Sequence, residues 1–174
     1  MKKIMWLGLI PVFLMILGCE ERRGRNYNTK QADSDLSAFV NEAAENSLTI
    51  AEASNLAKSH SANPDIKKFA DTLFNHHTSL NEGLQNIASD TQVSYTDTIS
   101  LNNQREVAVL SETDAKAFDT TYVNMMLKYH EQAVKLFTKA VNSKQPAIQS
   151  FAQKNVNAIT AHLNTVRNMH ASLK

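Results

Sequence analysis

The chain has 174 residues, a formal net charge of +1, a single cysteine and only four glycines. This near-neutral charge disfavours nucleic acid as a partner, because proteins that bind nucleic acid carry a basic face. A single cysteine excludes an internal disulfide, and the few glycines form no phosphate-binding loop.

The first residues are typical of an exported protein. Lys2 and Lys3 form a basic start, residues 4–17 are an apolar run, and Ile-Leu-Gly-Cys over residues 16–19 is similar to a lipobox. At about 1.5 Å per residue the apolar run spans roughly 21 Å, which is short of the roughly 30 Å bilayer core. We therefore predict a signal peptide and not a stable membrane span.

This signal resembles that of bacterial lipoproteins, which implies cleavage before Cys19, lipid modification of that cysteine and anchoring to a membrane of the cell envelope. Glu20 differs from the aspartate that resembles an inner-membrane retention signal, so the outer membrane is favoured. The alternative is an ordinary signal followed by a cysteine that occurs there by chance. The prediction divides the chain into a signal peptide (1–18), a lipidated cysteine with a flexible tether (19–35) and one domain (36–174).

Four long helices are predicted in this domain, because apolar residues repeat there in steps of three and four. Their ranges are 36–60, 64–89, 114–142 and 146–173. Pro64 and Pro146 each open a helix after a turn, and both begin the pattern P-x-I-x-x-F-A. The helical period fails between the second and third helices, which predicts a long crossover with a short helix near residues 101–110. The expected fold is an all-α four-helix bundle of two helical hairpins joined by this crossover.

Three of the six histidines fall on the apolar stripes of three different helices, which makes them candidate metal ligands. They are His77, His130 and His162. Distances along the chain place His130 and His162 at one level, 16 residues either side of Pro146, and Glu52 near the level of His77. If these two pairs meet, three imidazoles and a carboxylate suit zinc, copper or iron. The alternative for each histidine is a buried side chain that only makes hydrogen bonds.

Two polar residues on the third long helix are candidates for a supporting role. Asp119 lies on the stripe of His130, and we predict that it pairs with a histidine and sets its tautomer. Tyr122 is predicted to be a core aromatic with its hydroxyl at the rim of the site. No histidine has a glutamate three residues before it, which disfavours a di-iron centre.

Four motifs resemble the bacterial domain-of-unknown-function 4142 (DUF4142) family. They are F-V-x-x-A-A at 39–44, I-K-K-F-A at 66–70, F-D-x-x-Y-x-x-x-M-x-x-x-H at 118–130 and A-H-L at 161–163. The resemblance implies a ferritin-like bundle in exported proteins without an established activity. It also matches the family's polar positions His77, Asp119, Tyr122, His130 and His162. The chain departs from the family pattern at His76, because the family tends to have an acidic residue just before the first histidine.

Taken together, these patterns predict an envelope lipoprotein, attached to a membrane through Cys19, with a non-catalytic binding, interaction or stress-related role. A protein partner in the envelope is expected for that role. The alternative is a mononuclear metal-binding protein that uses the mid-bundle histidines. An enzyme is the least favoured reading, because no motif places a nucleophile or an acid-base pair.

Overall fold

A computed structural model describes residues 21–173, with side chains described from residue 33 onward. Cys19 and the predicted signal peptide lie outside the described residues. The described part of the chain contains five helices and no strand, which confirms the all-α prediction. The helices are α1 (Glu21–His60), α2 (Pro64–Thr91), α3 (Leu101–Glu112), α4 (Ala115–Ala140) and α5 (Pro146–Ser172). None of them is long and apolar enough to cross a membrane.

Three of the helix starts are explained by residues in their own first turns. The Asn63 side chain accepts hydrogen bonds from the backbone N–H groups of Asp65 and Ile66, and thereby caps α2. Asp114 caps α4 in the same way, and Pro146 occupies the first turn of α5. These caps satisfy N–H groups that have no partner inside the helix, so the helices begin within one residue of the predicted positions.

The start of α1 differs from the prediction. The helix begins at Glu21, well before the predicted start at Leu36, and takes in most of the segment that we expected to be a flexible tether. That segment lacks an apolar stripe, but it contains no proline, and seven of residues 21–35 are Glu, Arg, Lys, Gln or Ala, which favour a helix. Extending an existing helix costs far less than nucleating one, so the packed part of α1 can continue into this polar segment.

The long helices form two hairpins, α1 with α2 and α4 with α5, and α1 also packs against α4. Along α1 and α4 the contacts run in opposite order, from the Ser54–Tyr122 hydrogen bond to the Phe39–Phe137 ring pair. The two helices are therefore antiparallel, and the crossover returns along the length of the bundle with α3 lying against α1 and α4. Backbone contacts between α2 and α5 are sparse.

The core is divided into two apolar clusters, one toward each end of the bundle. The first includes Ile50, Leu73, Tyr122, Met126 and Val166. The second includes Phe39, Leu84, Ala133, Phe137 and Ile159. On each long helix the change from one cluster to the other falls at a polar residue. These residues are Ser47 on α1, His77 on α2, His130 on α4 and His162 on α5, and they form a polar layer at mid-bundle.

Candidate functional site

Four histidine rings meet in the polar layer, and we call them the histidine cluster: His76, His77, His130 and His162. The ring centroids of His76 and His162 are 4.9 Å apart, and those of His77 and His130 are 5.4 Å apart. The distance between His130 and His162 is 5.8 Å. Four imidazoles around one tetrahedral ion would have centroids roughly 5 Å apart, given metal–nitrogen bonds near 2.0 Å. The three predicted histidines are thus brought together, and His76 joins them.

His130 is fully buried, and its tautomer follows from its hydrogen bond. Its Nδ1 lies 2.9 Å from the carbonyl oxygen of Met126. A carbonyl can only accept, so Nδ1 carries the proton and donates it, which leaves Nε2 with a free lone pair. That Nε2 atom is buried and has no hydrogen-bond partner.

His77 has the same arrangement, with a serine in place of the carbonyl. Its Nδ1 lies 2.8 Å from the Ser47 Oγ, which is itself 3.2 Å from the His77 carbonyl oxygen. Both contacts are satisfied when the hydroxyl donates to the carbonyl and accepts from Nδ1–H. The Nε2 atom is then a second buried lone pair without a partner. Metal-binding histidines usually have one ring nitrogen held in this way while the other faces the ion.

His76 and His162 form the half-buried side of the cluster. The Nδ1 of His76 lies 3.2 Å from the Nε2 of His162, so one proton is shared between the two nitrogens. Two ligands of one tetrahedral zinc ion have their nitrogens about 3.3 Å apart, because each bond is close to 2.0 Å long. The pair therefore already has the spacing of two neighbouring ligands.

The electrostatics of the cluster favour neutral rings. The pKa of His130 and that of His162 are lowered to about 4, chiefly by burial and in smaller part by charge on neighbouring rings, although the hydrogen bond to the Met126 carbonyl partly opposes this for His130. Burial and the other three rings also hold the pKa of His77 well below its usual range. At neutral pH the cluster is a set of uncharged nitrogen donors, the state in which imidazole binds metals.

The rings do not yet surround one point. Among the residues whose side chains are described, no three His, Cys, Asp or Glu side chains already have the geometry to hold a metal ion. The terminal torsion of histidine is broad, so binding of one ion would require the rings to rotate from these positions.

Glu52, the predicted carboxylate ligand, is not part of the cluster. Its side chain is exposed, and burial of its stem raises its pKa without bringing it to a histidine. Its level along α1 was estimated from the hairpin turn, but it lies on the wrong face. Ser47 supplies the contact from α1 instead. The sequence signal that could have identified Ser47 is its place on the apolar stripe of α1, between Ala43 and Ile50.

Asp119 and Tyr122 also lie outside the cluster. Asp119 is three turns of α4 before His130, about 16 Å along the axis, so it does not set the tautomer of that ring. One of its carboxylate oxygens is buried without a hydrogen-bond partner, and we have no role for it. Tyr122 is fully buried, and its hydroxyl lies 3.0 Å from the Ser54 Oγ. It is a core aromatic, as predicted, but not at the rim of the site.

Comparison with known proteins identifies a family without assigning an activity. A family model described as a domain of unknown function (DUF4142) matches residues 23–169. No curated protein matches the chain. The fold is similar to the crystal structure of a DUF305 fragment from Deinococcus radiodurans, with a TM-score of 0.69 and 14% identity. The alignment covers 79% of this chain and 95% of that one, and at this identity it shows the fold alone.

Proposed function

The chain belongs to the DUF4142 family, and we propose that its bundle binds one transition-metal ion at the histidine cluster. The observation that carries this proposal is the pair of buried, unpartnered Nε2 atoms on His77 and His130. Each belongs to a ring whose Nδ1 is already held by a hydrogen bond. Three helices therefore place uncharged imidazole donors in one layer, and α1 supplies the supporting contact from Ser47.

The energy of the layer supports a ligand. Leaving a buried polar atom without a hydrogen bond costs about 1–3 kcal/mol. The cluster carries two such atoms between the two apolar clusters of the core. An ion that coordinates both nitrogens would remove this cost. Because the site exists only in the folded protein, the ion would stabilise the folded state. The competing explanation is a buried water molecule that donates to both lone pairs.

The donor set narrows the choice of metal. Within the described part of the chain, the polar layer offers imidazole nitrogens and one hydroxyl, and the candidate carboxylate Glu52 faces away. Magnesium and calcium prefer oxygen donors, and mononuclear iron sites of the facial-triad type need a carboxylate. Zinc and copper(II) accept nitrogen ligands alone, so they fit the site better than iron.

The direct test is calorimetric titration of zinc and copper into the purified protein without a histidine tag. We expect about one ion per chain, and loss of binding in His77→Ala/His130→Ala. His170→Ala is the matched control, because this histidine lies on α5 two turns beyond His162 and outside the cluster. The electron paramagnetic resonance spectrum of bound copper(II) should show coupling to several nitrogens. Full binding by the double variant, or no binding by the wild-type protein, would contradict the proposal.

We further propose that the chain is anchored in the bacterial envelope by lipid on Cys19. The basic start, apolar run and lipobox-like residues 16–19 support this placement. Mass spectrometry of the mature N-terminus should find an acylated cysteine, and Cys19→Ala should release the protein from the membrane fraction. An unmodified cysteine in a membrane-free protein would overturn the anchor. The interaction or stress-related role expected from the sequence stays a prediction.

A further inference from the structure

The four rings of the cluster differ in their access to solvent. His77 is 1% exposed and His130 is 0% exposed, whereas His76 and His162 are half-buried. The two accessible rings belong to α2 and α5, the helices with sparse backbone contacts between them. The other sides are covered, because the apolar clusters lie above and below the layer and α1 contributes Ser47 behind His77.

The seam between α2 and α5 is closed on one side of the cluster. Gly83 faces the ring of Phe151, and a Cβ at Gly83 would lie only 2.7 Å from the ring carbon Cε2. The helix and the ring are therefore in close contact there, and the ring also packs against Phe39 and Phe137 in the core.

The seam is open on the other side, where a cavity of about 480 Å³ lies between α2 and α5. Thr72 and Thr165 line its two walls. Thr72 is four residues before His76 and Thr165 is three residues after His162, so each threonine shares a helix face with one accessible histidine. Phe69 lines the cavity as well, and its ring packs edge-on against His162 at 6.1 Å. None of the four rings lines the cavity itself, but the cavity lies about one helical turn from the two half-buried rings, on the helix faces that they share with Thr72 and Thr165.

From this arrangement we infer that metal ions enter and leave the cluster through this α2–α5 groove, and that His76 and His162 are the first ligands they meet. The inference rests on the proposed function and adds the route to the site. To bind a divalent ion, the facing nitrogens of His76 and His162 must both have a free lone pair. The proton between them must therefore move, through solvent, to the other nitrogen of the ring that carries it. No net proton is released, because both rings remain neutral. The lone pairs of His77 and His130 then complete the coordination from the buried side.

The test is to fill the groove and measure metal exchange. Thr165→Trp places a large ring in the cavity, and Thr138→Trp on the exposed face of α4 is the matched control. Stopped-flow mixing with zinc, and with a chelator for release, should show both rates lowered by about tenfold or more in the groove variant. The equilibrium affinity should stay the same, because a blocked route changes the barrier and not the bound state. Thr72→Trp serves the same purpose from α2 if the first variant does not fold.

A metal-free measurement separates this inference from the proposed function. Diethyl pyrocarbonate modifies accessible neutral imidazoles, and mass spectrometry locates the label. In the apo protein His76 and His162 should be labelled faster than His77 and His130, and Thr165→Trp should slow that labelling while Thr138→Trp does not. Wild-type rates of labelling and of metal exchange in the groove variant would overturn the route. Absence of metal binding by the wild-type protein, with protected labelling in the variant, would overturn the proposed function and leave the groove as the opening to the cluster.

Discussion

At the scale of single residues, the chemistry of the cluster depends on side chains that are not themselves ligands. Ser47 holds the Nδ1 of His77, and the Met126 carbonyl holds that of His130. A helical stripe pattern could predict which histidines point inward, because each falls in phase with apolar neighbours. It could not predict that Ser47 takes the place of Glu52, since a stripe gives the face of a helix but not its rotation against the next hairpin. The stripe pattern also left His76 unexplained, because this residue lies beside the stripe and its ring still reaches the site from the edge of the helix.

Replacing Ser47 with alanine should weaken metal binding more than it weakens the fold. The loss of a supporting hydrogen bond to a ligand histidine typically lowers metal affinity by about 10–100-fold. The fold should lose about 1–2 kcal/mol of unfolding free energy, the usual cost of one buried hydrogen bond. Ser54→Ala is the control, because Ser54 is also buried on α1 but bonds to Tyr122 away from the cluster. Equal zinc affinities for the two variants in calorimetry would contradict the role of Ser47.

The histidines should make the apo protein sensitive to mild acid. His130 has a folded pKa of about 4, below the value near 6.5 of an unfolded chain. Below pH 6.5 the unfolded state therefore takes up a proton that the folded state refuses. The contribution of each such ring to the unfolding free energy is fully present above pH 6.5. It is lost as the pH falls toward 4, by about 1.4 kcal/mol per pH unit. Urea unfolding at pH 7.5 and 4.5 should show this loss, and His77→Leu/His130→Leu should reduce it. A wild-type protein equally stable at both pH values would refute the assignment.

At the scale of elements, the predictable features are those with a local cause. Helix starts at Pro64 and Pro146 and the cap at Asp114 follow from residues that act on their own backbone. The short helix α3 was also predicted. Its Asn103 accepts a 2.8 Å hydrogen bond from the Tyr129 hydroxyl of α4 and donates a 2.9 Å hydrogen bond to the Glu45 carboxylate of α1. The extension of α1 to Glu21 was not predicted, because that segment is polar and has no apolar stripe to mark a helix.

The closed end of the α2–α5 seam gives an element-scale prediction. Gly83→Ala would gain about 1 kcal/mol of helix propensity, but its new Cβ would meet the Phe151 ring. Overpacking of this kind costs about 1–3 kcal/mol, so we expect a net loss of stability. In Phe151→Leu, which relieves the contact, the same change should become neutral or stabilising. A double-mutant cycle by thermal unfolding measures this coupling, and additive effects of the two changes would contradict the close contact.

At the scale of the whole molecule, a polar layer separates two apolar clusters. If the residues of this layer were apolar, the two clusters would form one continuous core. Removing both members of a buried polar arrangement is often neutral or stabilising, whereas leaving one unpaired is costly. The layer therefore supports the proposed metal site, because an apolar layer would serve folding at least as well. Fold class and hairpin arrangement followed from periodicity and turn positions. The meeting of the two hairpins at one level could not be predicted, because it depends on packing between them.

Replacing the two buried rings with apolar ones should separate stability from function. In His77→Leu/His130→Leu the unpartnered nitrogens are gone and the two apolar clusters join. At pH 7.5 without metal, we expect this variant to be at least as stable as the wild-type protein. Zinc at about 100 times its dissociation constant should stabilise the wild-type protein by about 2.7 kcal/mol and leave the variant unchanged. Thermal unfolding with and without zinc measures both effects. A variant that is much less stable in the absence of metal would show that the histidines hold the fold together, and the polar layer would then need no ligand to account for it.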